Sequence, residues 1–175
     1  MTIEELMEFA TDCGFEHVGQ LNMSALKFMP EIRKMCNSKD CRMYGNSWKC
    51  PPAIGSLEEV AKKAASFKNG IIMQTVGQAD EFDMDAMIAA ESIHKSRFAT
   101  VLRYLKGKGD SMPMAAGACT ICKKCTYPKS PCRYPGKAVP SMEAYGLWVS
   151  KVCEQSGIRY NYGKGTISYT SCVLF

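Results

Sequence analysis

Asn69-Gly70-Ile71-Ile72-Met73-Gln74-Thr75-Val76 is the stretch around which the rest of the chain can be arranged. Asn-Gly is a turn, and the run after it is short, apolar and rich in β-branched residues, which predicts a buried strand. Both flanks read as helical. On the N-terminal side Ser56 and Glu59 make a capping box that opens a helix running to about Lys68. On the C-terminal side Met84, Met87, Ile88, Phe98, Val101, Leu102 and Leu105 keep a helical period from about Asp83 to Lys106.

Working outward, Thr2 and Glu5 form a second capping box, and Ile3, Leu6, Phe9, Ala10 and Cys13 make the apolar stripe of a first helix that ends at Gly14. His17 to Leu21 and Met112 to Ala118 are candidate strands. Pro140-Ser141 opens a helix with Met142, Tyr145, Val149 and Val152 on one face, ending near Gly157. Strands are expected at Ile158–Tyr162 and Thr166–Leu174. The pattern predicts one α+β domain over residues 1–175, a mixed sheet covered by helices, interrupted by two cysteine-rich loops that read as metal-binding.

The chain has 175 residues, 46% of them hydrophobic and 22% charged, so it can bury a core without cysteine staples. It nevertheless carries ten cysteines. The N-terminus holds two acids in its first five residues and no apolar run of signal-peptide length, which points to the cytoplasm. No segment is apolar enough for a membrane span. In a reducing compartment closely spaced cysteines read first as metal ligands rather than disulfides. Part of the formal charge of +5 is local: Lys123, Lys124, Lys129, Arg133 and Lys137 lie in or beside one cysteine cluster. No aromatic-interleaved or helix-turn-helix pattern accompanies them, so the expected partner is not nucleic acid.

Cys119-Thr120-Ile121-Cys122-Lys123-Lys124-Cys125 gives C-x2-C-x2-C, with Cys132 after six further residues. The first two spacings match a bacterial ferredoxin run, which continues C-x3-C-P; here the last gap is longer and Pro135 stands three residues beyond Cys132. Thiolates every third residue wrap a compact cluster and aim backbone N–H groups at its sulfurs. A single zinc more often takes two separate C-x2-C knuckles. Zinc is the alternative cofactor.

Cys36-Asn37-Ser38-Lys39-Asp40-Cys41 and Cys50-Pro51-Pro52 make a second candidate site, C-x4-C-x8-C-P-P, in a polar, Gly/Pro-punctuated stretch. Three thiolates leave one position of a four-iron cluster open, for a substrate, for water, or for a fourth residue such as Cys132. Cys13 and Cys153 fall on apolar helix faces and read as core; Cys172 is a spare on the last strand. His94, in the lone E-x-x-H of Glu91 to His94, and His17 read as structural.

The chain resembles a family of small predicted metal-binding proteins of unknown function from anaerobic bacteria and archaea. The resemblance rests on Cys41-Arg42-Met43-Tyr44-Gly45, Trp48-Lys49-Cys50-Pro51-Pro52, Gly117 through Cys125, Pro131-Cys132-Arg133-Tyr134-Pro135 and Pro140-Ser141-Met142-Glu143-Ala144. It implies metal binding and an anaerobic setting and supplies no reaction. Two roles suit Ser141-Met142-Glu143-Ala144 equally: a helix cap, or a helix start set against a cluster.

The functional expectation is an iron–sulfur protein with one or two 4Fe-4S clusters held by Cys119, Cys122, Cys125 and Cys132 and by Cys36, Cys41 and Cys50. It would pass electrons to or from a redox protein or a small-molecule substrate. The alternatives are a small iron–sulfur enzyme using an open iron at Cys36/Cys41/Cys50, and a zinc-stabilised interaction module.

Overall fold

The strand that opens the sequence argument has both faces covered, and this sets the architecture. A computed structural model describes residues 1–37, 41–80 and 83–175. Strand β2 (Gly70–Gln78) is central in a four-stranded sheet with β1 (His17–Gln20), β3 (Met112–Met114) and β4 (Thr166–Leu174), in the order β1-β2-β4-β3. Every pairing is antiparallel, with Ile72 opposite Cys172 and Met114 opposite the same residue from the other side. An isolated parallel bridge joins Ala115 to Ser141.

Successive side chains of a strand point to opposite faces, and the core divides accordingly. Ile71, Met73 and Val173 pack with Leu6 and Ala10 of α1 (Ile3–Asp12) and with Phe98, Val101 and Leu105 of α4 (Met84–Leu105). Ile72, Cys172 and Leu174 face the other way. They meet Val60 and Ala64 of α3 (Leu57–Ala64), Val152 and Cys153 of α5 (Val149–Gln155), and Met142 and Leu147. The result is the expected α+β fold, one sheet covered by helices, although the sheet is antiparallel throughout the described strands and not the mixed sheet expected. Both foreseen capping boxes form: Thr2 Oγ1 accepts from Glu5 N at 3.1 Å, and Ser56 Oγ accepts from Glu59 N at 3.1 Å. Gly77 is required where α4 crosses β2, because a Cβ there would stand 2.5 Å from the Ala90 Cβ. Among the described residues no helix is long and apolar enough to cross a membrane.

Several local expectations differ. A short helix, α2 (Pro30–Met35), precedes the first cysteine loop; Pro30 at its first turn is the signal that was available. The helix expected from Pro140 to Gly157 is split. Residues 141–147 form a separate turn, because Gly146 takes φ +85° and its carbonyl accepts from Met29 N at 2.8 Å. Ile158–Tyr162 is not a strand. The chain leaves α5 through Gly157 (φ +74°), and Ile158 N donates back to Cys153 O at 2.9 Å, so its amide closes the helix end instead of joining a ladder. The strand expected over Met112 to Ala118 stops at Met114.

One polar network crosses the sheet. His94, fully buried on α4, has Nδ1 3.0 Å from Thr75 Oγ1 and Nε2 2.7 Å from Ser171 Oγ. Burial, then the nearby Arg97 and Lys95 cations, push its pKa down to about 3. The ring is therefore neutral and satisfied at both nitrogens, the structural role expected of it.

Candidate metal centre

The second cysteine loop is a closed excursion from β3. Ala115 N donates to Pro140 O at 2.8 Å and Met142 N donates to Ala115 O at 3.0 Å, so the loop leaves and returns at one point. Its first arm is tied to α4: Lys95 Nζ donates to Ala118 O at 2.7 Å and to Thr120 Oγ1 at 3.2 Å, and is paired with Glu91 at 2.7 Å. Gly117 takes φ +63° there, and a Cβ would stand 2.6 Å from Glu91 Oε1. Further along, Thr126 Oγ1 donates to Pro131 O at 2.9 Å and Arg133 Nη1 donates to Lys124 O at 3.0 Å. These bonds set the loop's shape without using its thiols.

Cys119, Cys122, Cys125 and Cys132 all line one cavity of about 580 Å³, together with Met43, Ser47 and Trp48 of the first loop. What joins the two loops lies outside the cysteine spacing. Trp48 Nε1 donates to Ser130 O at 2.9 Å, and its ring meets Tyr127 edge-on at 4.9 Å. Buried Ser47, whose Oγ accepts from Lys49 N at 3.1 Å, lies close to both Cys50 and Cys125. A tryptophan and a serine inside a C-x8-C gap were the available signal; spacing alone gave them no role.

The thiols differ in environment. At Cys125 slight burial pushes the thiol up. Hydrogen bonds from the backbones of Tyr127 and Trp48, the Ser47 hydroxyl and the Thr126 backbone outweigh it and hold the pKa below its usual value. Donors that converge on a sulfur favour its anionic, metal-binding form. Cys50 is the opposite case: burial first, then the neighbouring Cys41, Cys36 and Cys119, push it up to about 11, against the Ser47 hydrogen bond.

Cys36, Cys41 and Cys50 are thus electrostatic neighbours, with Cys119 of the second loop close to Cys50. Residues 38–40, inside the C-x4-C spacing, lie outside the described residues. Cys132, the sequence candidate for completing this set, lines the second-loop cavity instead. Cys153 and Cys172 are fully buried in the core and Cys13 packs against its other half.

Ser141 does act as a cap, but of the short turn: its Oγ accepts from Ala144 N at 3.1 Å. The same turn brings Glu143 beside Cys36. Glu143 keeps exposed surface while its carboxyl is crowded by protein atoms. Burial raises its pKa, opposed by hydrogen bonds from its own backbone and from Ser141. The capping role of Ser141 thus holds for a turn and not for the helix start that was expected.

Among the described residues no three Cys, His, Asp or Glu side chains converge closely enough to hold a single ion. The donor chemistry still suits a multi-atom thiolate-bound group: four thiols line open space, N–H and O–H donors face Cys125, and Arg33 Nη2, near Cys36, is buried without a partner among the described residues. The profile of one protein family, described as "Predicted metal-binding protein (DUF2284)", matches residues 19–175. No curated protein and no solved structure matches the chain.

Proposed function

We propose, for a chain that belongs to this family of predicted metal-binding proteins, that it is an iron–sulfur protein whose two cysteine loops each hold a cluster. The observation that carries the reading is the placing of Cys119, Cys122, Cys125 and Cys132 around one cavity of about 580 Å³. A single zinc draws four sulfurs to about 2.3 Å from itself, whereas a cube of iron and sulfide needs the thiols held apart around it. When bound, such a cluster takes up and releases one electron at a time.

The chain's own residues supply the rest. The amides of Trp48, Thr126 and Tyr127 and the Ser47 hydroxyl offset the charge of the Cys125 thiolate. Trp48 and Tyr127 cover one side of the site and limit water there. Anaerobically purified protein is expected to be brown and to contain iron and acid-labile sulfide. A colourless protein with stoichiometric zinc would sink the proposal.

Electron exchange with an acidic redox protein is part of the same proposal. Residues 119–137 contain five Lys and Arg and no acid, against totals of 22 and 17. The rest of the chain is therefore balanced, 17 against 17, and the entire formal excess of +5 lies in the second loop. Lys123, Lys124, Lys129, Arg133 and Lys137 are all exposed, and Ile121 and Tyr134 stand exposed among them. Charge of one sign at a rim speeds encounter with the opposite sign. Stopped-flow reduction by an acidic ferredoxin should be slowed roughly ten-fold by the double variant K123E/K124E at low ionic strength, with the difference shrinking as salt rises. A rate independent of both salt and these charges would exclude this surface.

A further inference from the structure

Arg33 lies in α2, and Cys36, three residues on, is the helix's C-cap with helical backbone (φ −65°, ψ −23°), so the two fall on one side of the chain. The guanidinium is fixed by two bonds: Nε donates to Ala144 O at 3.0 Å, and Nη1 donates to Gly55 O at 2.7 Å. One bond reaches the 141–147 turn and the other the residue before the Ser56 cap of α3. The remaining nitrogen, Nη2, is buried and has no hydrogen-bond partner among the described residues. The ion pairs among those residues involve Met1, Lys95 and Arg97, not Arg33. Among the described residues, the ionisable groups around it are the Cys36 thiol and the phenols of Tyr145 and Tyr44.

A planar cation held at two nitrogens cannot turn its third toward water. An unspent donor on a buried charge is unfavourable unless an anion meets it. Neutral Cys36 supplies none. A metal-bound Cys36 does, because a ligating cysteine is a thiolate and the sulfides of a cluster are anionic too.

We infer that Arg33 is the resident counter-cation of the Cys36/Cys41/Cys50 centre, with Nη2 donating to the sulfur presented at Cys36. This rests on the iron–sulfur reading above. Arg33 is a positioning residue: it acts through the sulfur and not on a substrate. A fixed cation beside the cluster favours its more negative, reduced state and so raises the reduction potential. It also distinguishes the two sites, since around the second-loop thiols the resolved donors are amides and a hydroxyl gathered at Cys125.

The test uses full-length protein carrying Cys122→Ser, in which the first-loop centre is the one expected to remain. Iron and sulfide are counted and the potential is measured by spectroelectrochemistry. Arg33→Gln should retain the cluster and shift its potential to a more negative value. Arg33→Lys, which keeps the charge and loses the fork, should fall between. An unchanged potential in both variants would show that Arg33 only ties down Ala144 and Gly55. Should Arg33→Gln fail to fold, ¹⁵N-arginine NMR of the parent decides: one guanidinium NH2 should show a hyperfine shift, and its absence overturns the assignment. A parent without iron and sulfide would defeat the two-cluster reading itself, visible in the metal count before any potential is measured, and would remove this proposal with it.

Discussion

Cys122→Ser is expected to remove about half of the iron and sulfide bound by the anaerobically prepared chain, and Cys50→Ser the other half. Serine keeps the size of the side chain but is a poor ligand for iron. The fold should survive Cys122→Ser, because the second loop is closed by Ala115, Pro140 and Met142 backbone bonds and pinned by Lys95, none of which uses a thiol. Unchanged far-UV dichroism beside a halved metal count is the expected pair of results. Cys119→Ser should disturb both sites, since Cys119 lines the second-loop cavity and also neighbours Cys50. Cys13→Ser, at a helix end away from both loops, should leave the count alone. If Cys50→Ser leaves it unaltered as well, the first loop holds no cluster. The reading then contracts to a single centre, and an open iron site for substrate is lost with it.

The second large effect concerns stability and acid. His94 titrates near its ordinary value of 6.5 in the unfolded chain and at about 3 when folded. The folded state excludes a proton that the unfolded state accepts, so the stability associated with neutral His94 is complete above pH 6.5 and falls as pH drops below it. The slope is about 1.4 kcal/mol per pH unit, or about 4 kcal/mol by pH 3.5. Denaturant midpoints measured from pH 7 downward should show this fall, and His94→Gln should flatten it. His94→Leu should cost about 2–4 kcal/mol even at pH 7, because the Thr75 and Ser171 hydroxyls would be left buried without their shared partner. A variant with wild-type acid sensitivity would show that some other group controls the transition.

Both effects trace to residues that differ in how plainly the sequence presents them. Thiols every third residue are visible in the chain because three of the candidate ligands of one proposed site are local. The capping boxes at Thr2 and Ser56, the β2 strand and the long helix after it are legible for the same reason: each rests on spacings within one element. What failed did so where a distant group took over a backbone bond. Met29 reaches Gly146 and ends the helix expected after Pro140, and the end of α5 takes the amide of Ile158 from the expected strand.

The sequence by itself determined the α+β class, both capping boxes and the strands β2 and β4, and marked seven loop cysteines as candidate ligands, since periodicity, caps and cysteine spacing are properties of neighbouring residues. Tertiary structure alone decided the strand order β1-β2-β4-β3, the gathering of Cys132 with Cys119, Cys122 and Cys125, and the link through Ser47 and Trp48. It also decided that Arg33 stands beside Cys36 with a donor to spare. Apart from the Arg33–Cys36 spacing, which is local, these are contacts between separate segments of the chain, Arg33 to Ala144 and Gly55 among them, set by which apolar faces must be buried together.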